Sequence, residues 1–300
     1  YGLVGSEMCI RDRSDIKTPY NTYLSAANGN GDALKVDKIW YTMPVGDTNN
    51  TIFIGPMVEN YYMHGTTPSI YKPVLKAFTL GGNAAAYGAS TSPGAGWAYK
   101  ADNGFAVSSN VVSGTSSLLT DDSAISWATQ VGYTQPKYSA SIMLNQKYNG
   151  WEDGYYSTTK GHYRLTTGAS GGDQSVNSTN FGLRGWWRPA ETGTATPAVS
   201  AGYDASTLDI TNGALDETDA WFVGLNWSDM FQPDDKIGLA FGQPQTREDE
   251  TVDPFAWEAY YSFKVNDSVT VTPAVFGGSD RKGTANEDMT GAVLETTFRF

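Results

Sequence analysis

The sequence predicts an all-β protein, a transmembrane antiparallel β-barrel, and three observations carry that expectation. Apolar and polar residues alternate with period two over segments of about ten residues. The connections between those segments switch between long and short along the chain. Finally, 33 Gly and 39 aromatic residues stand in a chain that is only 40% apolar. Soluble β-domains share that composition, so the strand pattern and the loop asymmetry have to decide.

The first stretch, YGLVGSEMCIRDR at 1–13, reads like nothing after it and holds the single cysteine, Cys9. It resembles the peptide obtained when a sequencing adapter is translated, and such scars are excluded from fold reasoning. Residues 1–13 are therefore taken as non-native and expected to lie outside the sheet. Residues 14–300 are taken as an N-terminally truncated barrel domain. Without Cys9 no disulfide, thiolate nucleophile or cysteine-ligated metal can be proposed.

Successive side chains of a strand point to opposite faces. Weaker strand candidates are 33–44, 51–60, 95–101 and 104–113. Then Ile125, Trp127, Val131 and Tyr133 alternate with Ser126, Ala128, Gln130 and Gly132. After a candidate at 137–148, Phe181, Leu183 and Trp187 alternate with Arg184, Trp186 and Arg188. A candidate at 195–204 precedes Trp221, Val223, Leu225 and Trp227, which alternate with Phe222, Gly224 and Asn226. Ile237, Leu239 and Phe241 alternate with Gly238, Ala240 and Gly242. The clearest segment is FAWEAYYSFKV at 255–265, where Phe255, Trp257, Ala259, Tyr261, Phe263 and Val265 form one wholly apolar face. A candidate at 268–277 is followed by GAVLETTFRF at 291–300, which repeats the pattern. The total is about thirteen strands. Pro197 and Pro273 weaken two of them, because proline cannot donate to a ladder.

The connections at 278–288, 243–254, 205–217, 149–176, 114–123 and 61–94 read as long. Those at 265–267, 228–234, 190–194, near 136, 102–104 and 46–50 read as short. Outer-membrane barrels have short periplasmic turns and long outer loops; a soluble sandwich has no reason to segregate them. In the loop 61–94, SIYKPVLKAF places Pro73 at the start of a helical turn, with Val74, Leu75 and Phe78 on one side and Lys72 and Lys76 toward solvent. A loop of this kind either folds into the lumen as a constriction or lies on the surface.

Several functions are disfavoured. The net charge of −12 argues against a nucleic-acid partner, because phosphate binding needs a basic face. No run of apolar residues is long enough for a helical span. His64 and His162, the two histidines, lie in long loops with no nucleophile signature beside them. No metal-ligand spacing, calcium loop or phosphate-binding loop is present, so neither catalytic residues, nor a metal, nor a cofactor is expected. Trp127, Trp187, Trp221, Trp227 and Trp257 fall on the apolar faces and read as an interfacial girdle. The inward candidates for lining the lumen are Arg184, Trp186, Arg188, Glu258, Lys264, Glu295 and Arg299, since charged side chains set ion preference in pores. The acid run TREDETVD at 246–253 reads first as a solvated face, with raised cation concentration at the mouth as the weaker alternative.

The stretches ALKVDKIWYTMPVGDTNNTIFIGP at 33–56, GAGWAYKADNGFAVSSNVVSG at 94–114 and FAWEAYYSFKVNDSVTVTPAVFGG at 255–278, with the terminal FRF, together resemble the OprB-type porins. The likeness is to the cyanobacterial branch that carries an N-terminal surface-layer-homology domain. The resemblance implies a sixteen-stranded, often trimeric outer-membrane channel for ions and small solutes, sugars among them, in a Gram-negative-type bacterium. It also implies that Phe300 belongs to the assembly signal. Two other readings stay open at this point: a secreted all-β carbohydrate-binding module, and an outer-membrane barrel hydrolase using His64 or His162 with a serine.

Overall fold

The computed structural model describes residues 6–9, 35–82, 92–114, 120, 123–149, 177–209, 217–247, 251–280 and 285–299. Fourteen strands form one antiparallel sheet in strict chain order. They are β1 (Ser6–Cys9), β2 (Lys35–Val45), β3 (Asp47–Val58), β4 (Ser92–Lys100), β5 (Phe105–Ser113), β6 (Ile125–Gln135) and β7 (Tyr138–Tyr148). The second half comprises β8 (Asn177–Trp187), β9 (Ala198–Asp209), β10 (Glu217–Ser228), β11 (Lys236–Arg247), β12 (Phe255–Asn266), β13 (Val269–Ser279) and β14 (Met289–Phe298). Each of β2–β14 coincides with a strand expected from alternation. Each pairs only with its chain neighbours, so a side chain's face is set by its place in the alternation. Among the described residues no ladder joins β14 to β1.

β1 corrects one expectation. Residues 1–13 were placed outside the sheet, yet Ser6–Cys9 pairs with β2, Ser6 opposite Ile39 and Cys9 opposite Lys35, across an irregularity at Glu7/Met8. The physical reason is the edge itself. An unpaired strand presents a row of N–H and C=O groups that any adjacent extended chain can satisfy.

The two faces of the sheet differ sharply. On β7, Ser139, Ser141, Met143, Asn145 and Lys147 are buried, while Tyr138, Ala140, Ile142 and Leu144 are exposed. On β12 the buried members are Ala256, Glu258 and Tyr260. The buried face is thus small, polar or charged, and the exposed face carries Trp127, Val131, Leu183, Trp187, Val275 and Leu294. A sandwich or lectin-like module would do the reverse and meet apolar face to apolar face in a core. This inversion removes the soluble-module reading and is what lipid around a polar interior requires.

The aromatic rings form two outward levels. Trp221, Phe241 and Phe255 touch near the long-loop end, with centroids 6.2–6.4 Å apart. Tyr133 with Tyr138, and Tyr261 with Phe263, do so toward the short-turn end. Trp221 and Trp227 on one strand are about 20 Å apart at roughly 3.3 Å per residue.

The alternation of connection lengths holds with one correction. The β8–β9 connection spans residues 188–197, and the β9–β10 connection spans only 210–216. The reason is that β9 continues past its expected end at 204: Ala205 to Asp209 keep pairing with Phe181 to Asn177 of β8. Pro197 falls just before β9, and Pro273 stands inside β13.

Candidate functional site: a loop laid across the barrel interior

The connection after β3 enters the barrel. Asn60–Met63 forms a 3-10 turn whose Met63 packs with Trp40, Val58 and Val112. The chain then runs irregularly along the inner wall, bending at Gly65, Thr66, Pro68 and Ile70 and joining no strand. Its backbone polar groups need partners once they leave water. Inward side chains of successive strands supply them. Gly65 N donates to Ser108 Oγ of β5 (3.0 Å). Thr66 N donates to Gln130 Oε1 of β6 (2.8 Å), and Gln130 Nε2 donates back to Thr66 O (3.1 Å). Trp186 Nε1 of β8 donates to Thr67 O (3.1 Å). Ile70 N and Tyr71 N both donate to Ser200 Oγ of β9 (3.2 and 3.3 Å).

Past Tyr71 the loop changes chemistry. Tyr71, Leu75 and Phe78 pack against Phe222 of β10, Tyr260 of β12 and Phe276 of β13. Within that apolar seat lies one carboxylate, Glu258, fully buried. It accepts hydrogen bonds from Tyr71 Oη (2.8 Å), Val74 N (3.1 Å) and Leu75 N (2.5 Å). Burial first, then the Glu258 charge, pushes the Tyr71 hydroxyl up from its ordinary value, so it stays a donor. A second 3-10 segment, Lys76–Gly81, ends the described loop. There Arg184 Nε donates to Leu80 O (2.7 Å), while its Nη2 holds both oxygens of Asp204 (2.9 and 2.8 Å). Gly81 and Gly202 are needed for this approach. A Cβ on Gly202 would sit 1.7 Å from Gly81 O, and Gly81 itself has φ +80°.

The loop therefore meets β5, β6, β8, β9, β10, β12 and β13, which places it across the interior rather than on the surface. Among the described residues, two openings lie beside it. One, of about 440 Å³, is bounded by the loop's own residues and by Lys100 of β4. The other, of about 230 Å³, is bounded by Ile70, Arg188, Asn226 and Lys236 with the β8–β9 turn.

The inward residues named from sequence divide into two groups. Arg184, Trp186 and Glu258 face inward but are buried, and each holds the loop rather than lining open water. Arg188 is exposed, its guanidinium 5.8 Å from the Trp186 ring and its Nε donating to Pro136 O (2.6 Å). Lys264 is paired with Asp234 at 2.7 Å. Glu295 and Arg299 are exposed on β14 and just beyond it, and Lys72 is exposed on the loop. The Lys76 side chain, Phe300 and His162 lie outside the described residues, as do 248–250 of the acid run.

His64, read from the sequence as a loop residue, is buried between loop and wall, its Nδ1 3.4 Å from Asn110 Nδ2. Burial pushes its pKa down to about 3, so the ring is neutral at ordinary pH. The neighbouring wall serine, Ser108, is engaged by the Gly65 amide. That geometry supports packing, not a nucleophile and base. Sequence reasoning missed Ser108, Gln130, Ser200 and Asp204. Their only signal was inward position on a strand, which does not say what they bind.

No protein-family profile and no curated protein matches the chain. Solved structures do. OprB of Pseudomonas putida, in its high-pH structure, superposes with a TM-score of 0.62 at 16% identity, covering 95% of this chain and 78% of that one. An anion-selective porin from Comamonas acidovorans gives 0.60 at 11% identity over 91% of this chain and 80% of that one. OmpF of Salmonella typhi, complexed with daunomycin, gives 0.56 at 11% identity over 91% and 82%. The fold is that of the outer-membrane porins.

Proposed function

We propose that this chain forms a passive diffusion channel in the outer membrane of a Gram-negative-type bacterium. The observation that carries the reading is the loop 59–82, held by side chains of seven strands across an interior whose outer wall is apolar. A wall built for lipid, enclosing a polar interior narrowed by a fixed segment, selects solutes by size and charge. Ions and small hydrophilic solutes are its cargo, and the reaction needs no catalytic residue or cofactor. Lipid surrounds the outward face. Every strand edge must be satisfied in lipid, and among the described residues β1 and β14 are the two edges of the sheet.

The finer assignment, the cyanobacterial branch of OprB-type porins with its surface-layer domain and sugar-accepting members, rests on the resemblance of 33–56, 94–114 and 255–278. A homotrimer is the matching assembly, and Phe300 the matching assembly signal. Conductance of the purified protein in a planar bilayer tests the channel itself. Stepwise openings are expected; a membrane that stays silent at every salt concentration sinks the proposal.

A further inference from the structure

The outward face of β10–β14 is not an even wall. One row of paired residues runs through Trp227, Ile237 and Tyr261 and continues at Pro273 and Leu294. The next row is Leu239, Ala259, Val275 and Ala292. Where the small Ala259 and Ala292 stand among larger neighbours, the surface sinks into a hollow of about 890 Å³. Its side chains are apolar except at three ring tips. One belongs to Tyr260, whose ring turns into the barrel to meet Tyr71. The other two, on Trp227 and Tyr261, face outward.

Both outward tips are spent at the short-turn end. Trp227 Nε1 donates to Ala195 O (2.9 Å), and Tyr261 Oη donates to Asp235 Oδ2 (3.0 Å). Such rings keep their bodies in hydrocarbon and their tips among headgroups. The hollow thus lies on the hydrocarbon side of that level and the β10–β11 turn on the polar side. The turn leans over the end of β12: Gln232 Nε2 donates to Lys264 O (3.4 Å), and Lys264 Nζ lies 2.7 Å from Asp234. Phe231, 77% exposed, meets the outward Tyr261 ring edge-on at 5.8 Å. Asp235 accepts from the amides of Met230, Phe231 and Gln232, so this projecting ring stands on a fixed turn. At the ends of these strands and in their turns the exposed ions are Asp229, Asp234 and Asp267 with Lys236, Lys264 and Arg299. The signs balance.

We propose, building on the reading of this face as lipid-facing, that the hollow holds one phospholipid with a zwitterionic head. An acyl chain lies over Ala259 and Ala292. The head, bearing a phosphate and an ammonium, sits at the turn end, where Lys264 and Asp234 offer one charge of each sign. The occupant must be apolar over the hollow and ionic at one end only, with the change at the level of the two ring tips. A lipid has that profile. A head of one sign would leave half of the balanced ions unmatched. Shape argues against a second barrel in the same place. Two barrel walls are convex and touch along a line, whereas a recess behind the Phe231 knob is reached by a thin, flexible chain. In the hollow that chain touches protein on several sides rather than one, and so gains dispersion contacts that a chain on an even wall lacks.

The test is native mass spectrometry of the full chain, released from detergent after incubation with phosphatidylethanolamine, phosphatidylglycerol or both. One phosphatidylethanolamine per chain should survive conditions that strip phosphatidylglycerol. Ala259→Phe fills the hollow and should lower retention roughly tenfold, the loss of about two buried methylenes. Val131→Phe, on the outward face of β6, should leave retention unchanged. Asp234→Asn with Lys264→Gln should keep a lipid but hold the two kinds equally. Circular dichroism shows that each variant keeps its sheet. A folded wild type that carries no lipid overturns the proposal, and so does retention that Ala259→Phe leaves unchanged. Equal retention of the two lipids by the wild type overturns the zwitterionic head. Oligomers that Ala259→Phe disperses, with no lipid bound, give the hollow to a second copy and overturn the lipid. Bilayer conductance is read separately: openings without retained lipid overturn this site alone, and retained lipid without openings overturns the channel alone.

Discussion

The inner wall offers the loop two seats, and they work by different physics. Along β5–β9 the seat is polar: Ser108, Gln130, Trp186 and Ser200 each answer one stretch of loop backbone, and Arg184 closes the series at Leu80 O. Along β10–β13 it is apolar: Phe222, Tyr260 and Phe276 surround Tyr71, Leu75 and Phe78, with Glu258 the one charge inside. Hydrogen bonds add little net stability but penalise every wrong register, since a missed partner leaves a buried group unsatisfied. Apolar burial is non-directional and stabilises in proportion to area. The polar seat therefore decides where the loop lies, and the apolar seat decides how firmly it stays.

That division can be broken at three points. Arg184→Ala is the most severe, because it strands the Asp204 carboxylate in a buried site and frees Leu80 O. A loss of roughly 4 kcal/mol is expected for breaking such a pair, read as a lower thermal midpoint in detergent and a larger, noisier conductance. Phe78→Ala attacks the other seat, where the ring is 1% exposed and 5.2 Å from Phe222. About 3 kcal/mol is expected to go, and conductance should fluctuate while the reversal potential holds. Trp186→Phe keeps an aromatic ring, though a smaller one, and deletes the donor to Thr67 O. About 1 kcal/mol is the expected cost, seen by calorimetry; a cost as large as that of Phe78→Ala would show that the polar seat supplies firmness as well as register.

The smallest effect concerns a control outside both seats, the β10–β11 turn. Burial pushes the Asp235 carboxyl up, but the amides of Phe231, Met230 and Gln232 and the Tyr261 hydroxyl outweigh it and leave its pKa below the usual carboxylate range. A carboxylate depressed in the folded state stabilises above its unfolded pKa and loses that contribution as pH falls through the folded value. Acidification below about pH 4 should thus loosen this turn. Amide exchange at Met230, Phe231 and Gln232 measures it; unchanged protection through that range would contradict the assignment.

Alternation alone placed β2–β14 and the outward rings Trp127, Trp187, Trp221, Trp227 and Trp257, because strand period two is a local property of the chain. Ser6–Cys9 was set aside on its resemblance to adapter sequence, not on alternation, and there a free edge rather than any local pattern makes the strand. Alternation left open whether the loop after β3 lies inside. The reason is visible in Glu258 and Arg184, which alternation turns inward and which read as free lumen charges. Their partners, Leu75 183 residues away and Leu80 104 residues away, come from a segment with no periodicity of its own.

The sequence by itself determined the barrel: which residues face lipid, which face inward, and how the strands follow one another. Only the tertiary structure decided which inward charges are spent. Asp204 and Arg184 pair with each other, and Glu258 is taken up by the Tyr71 hydroxyl and two loop amides, contacts that exist only once the wall has curled around the loop. A charge's influence depends on its partners and its dielectric surroundings, and neither is a property of its neighbours in the chain.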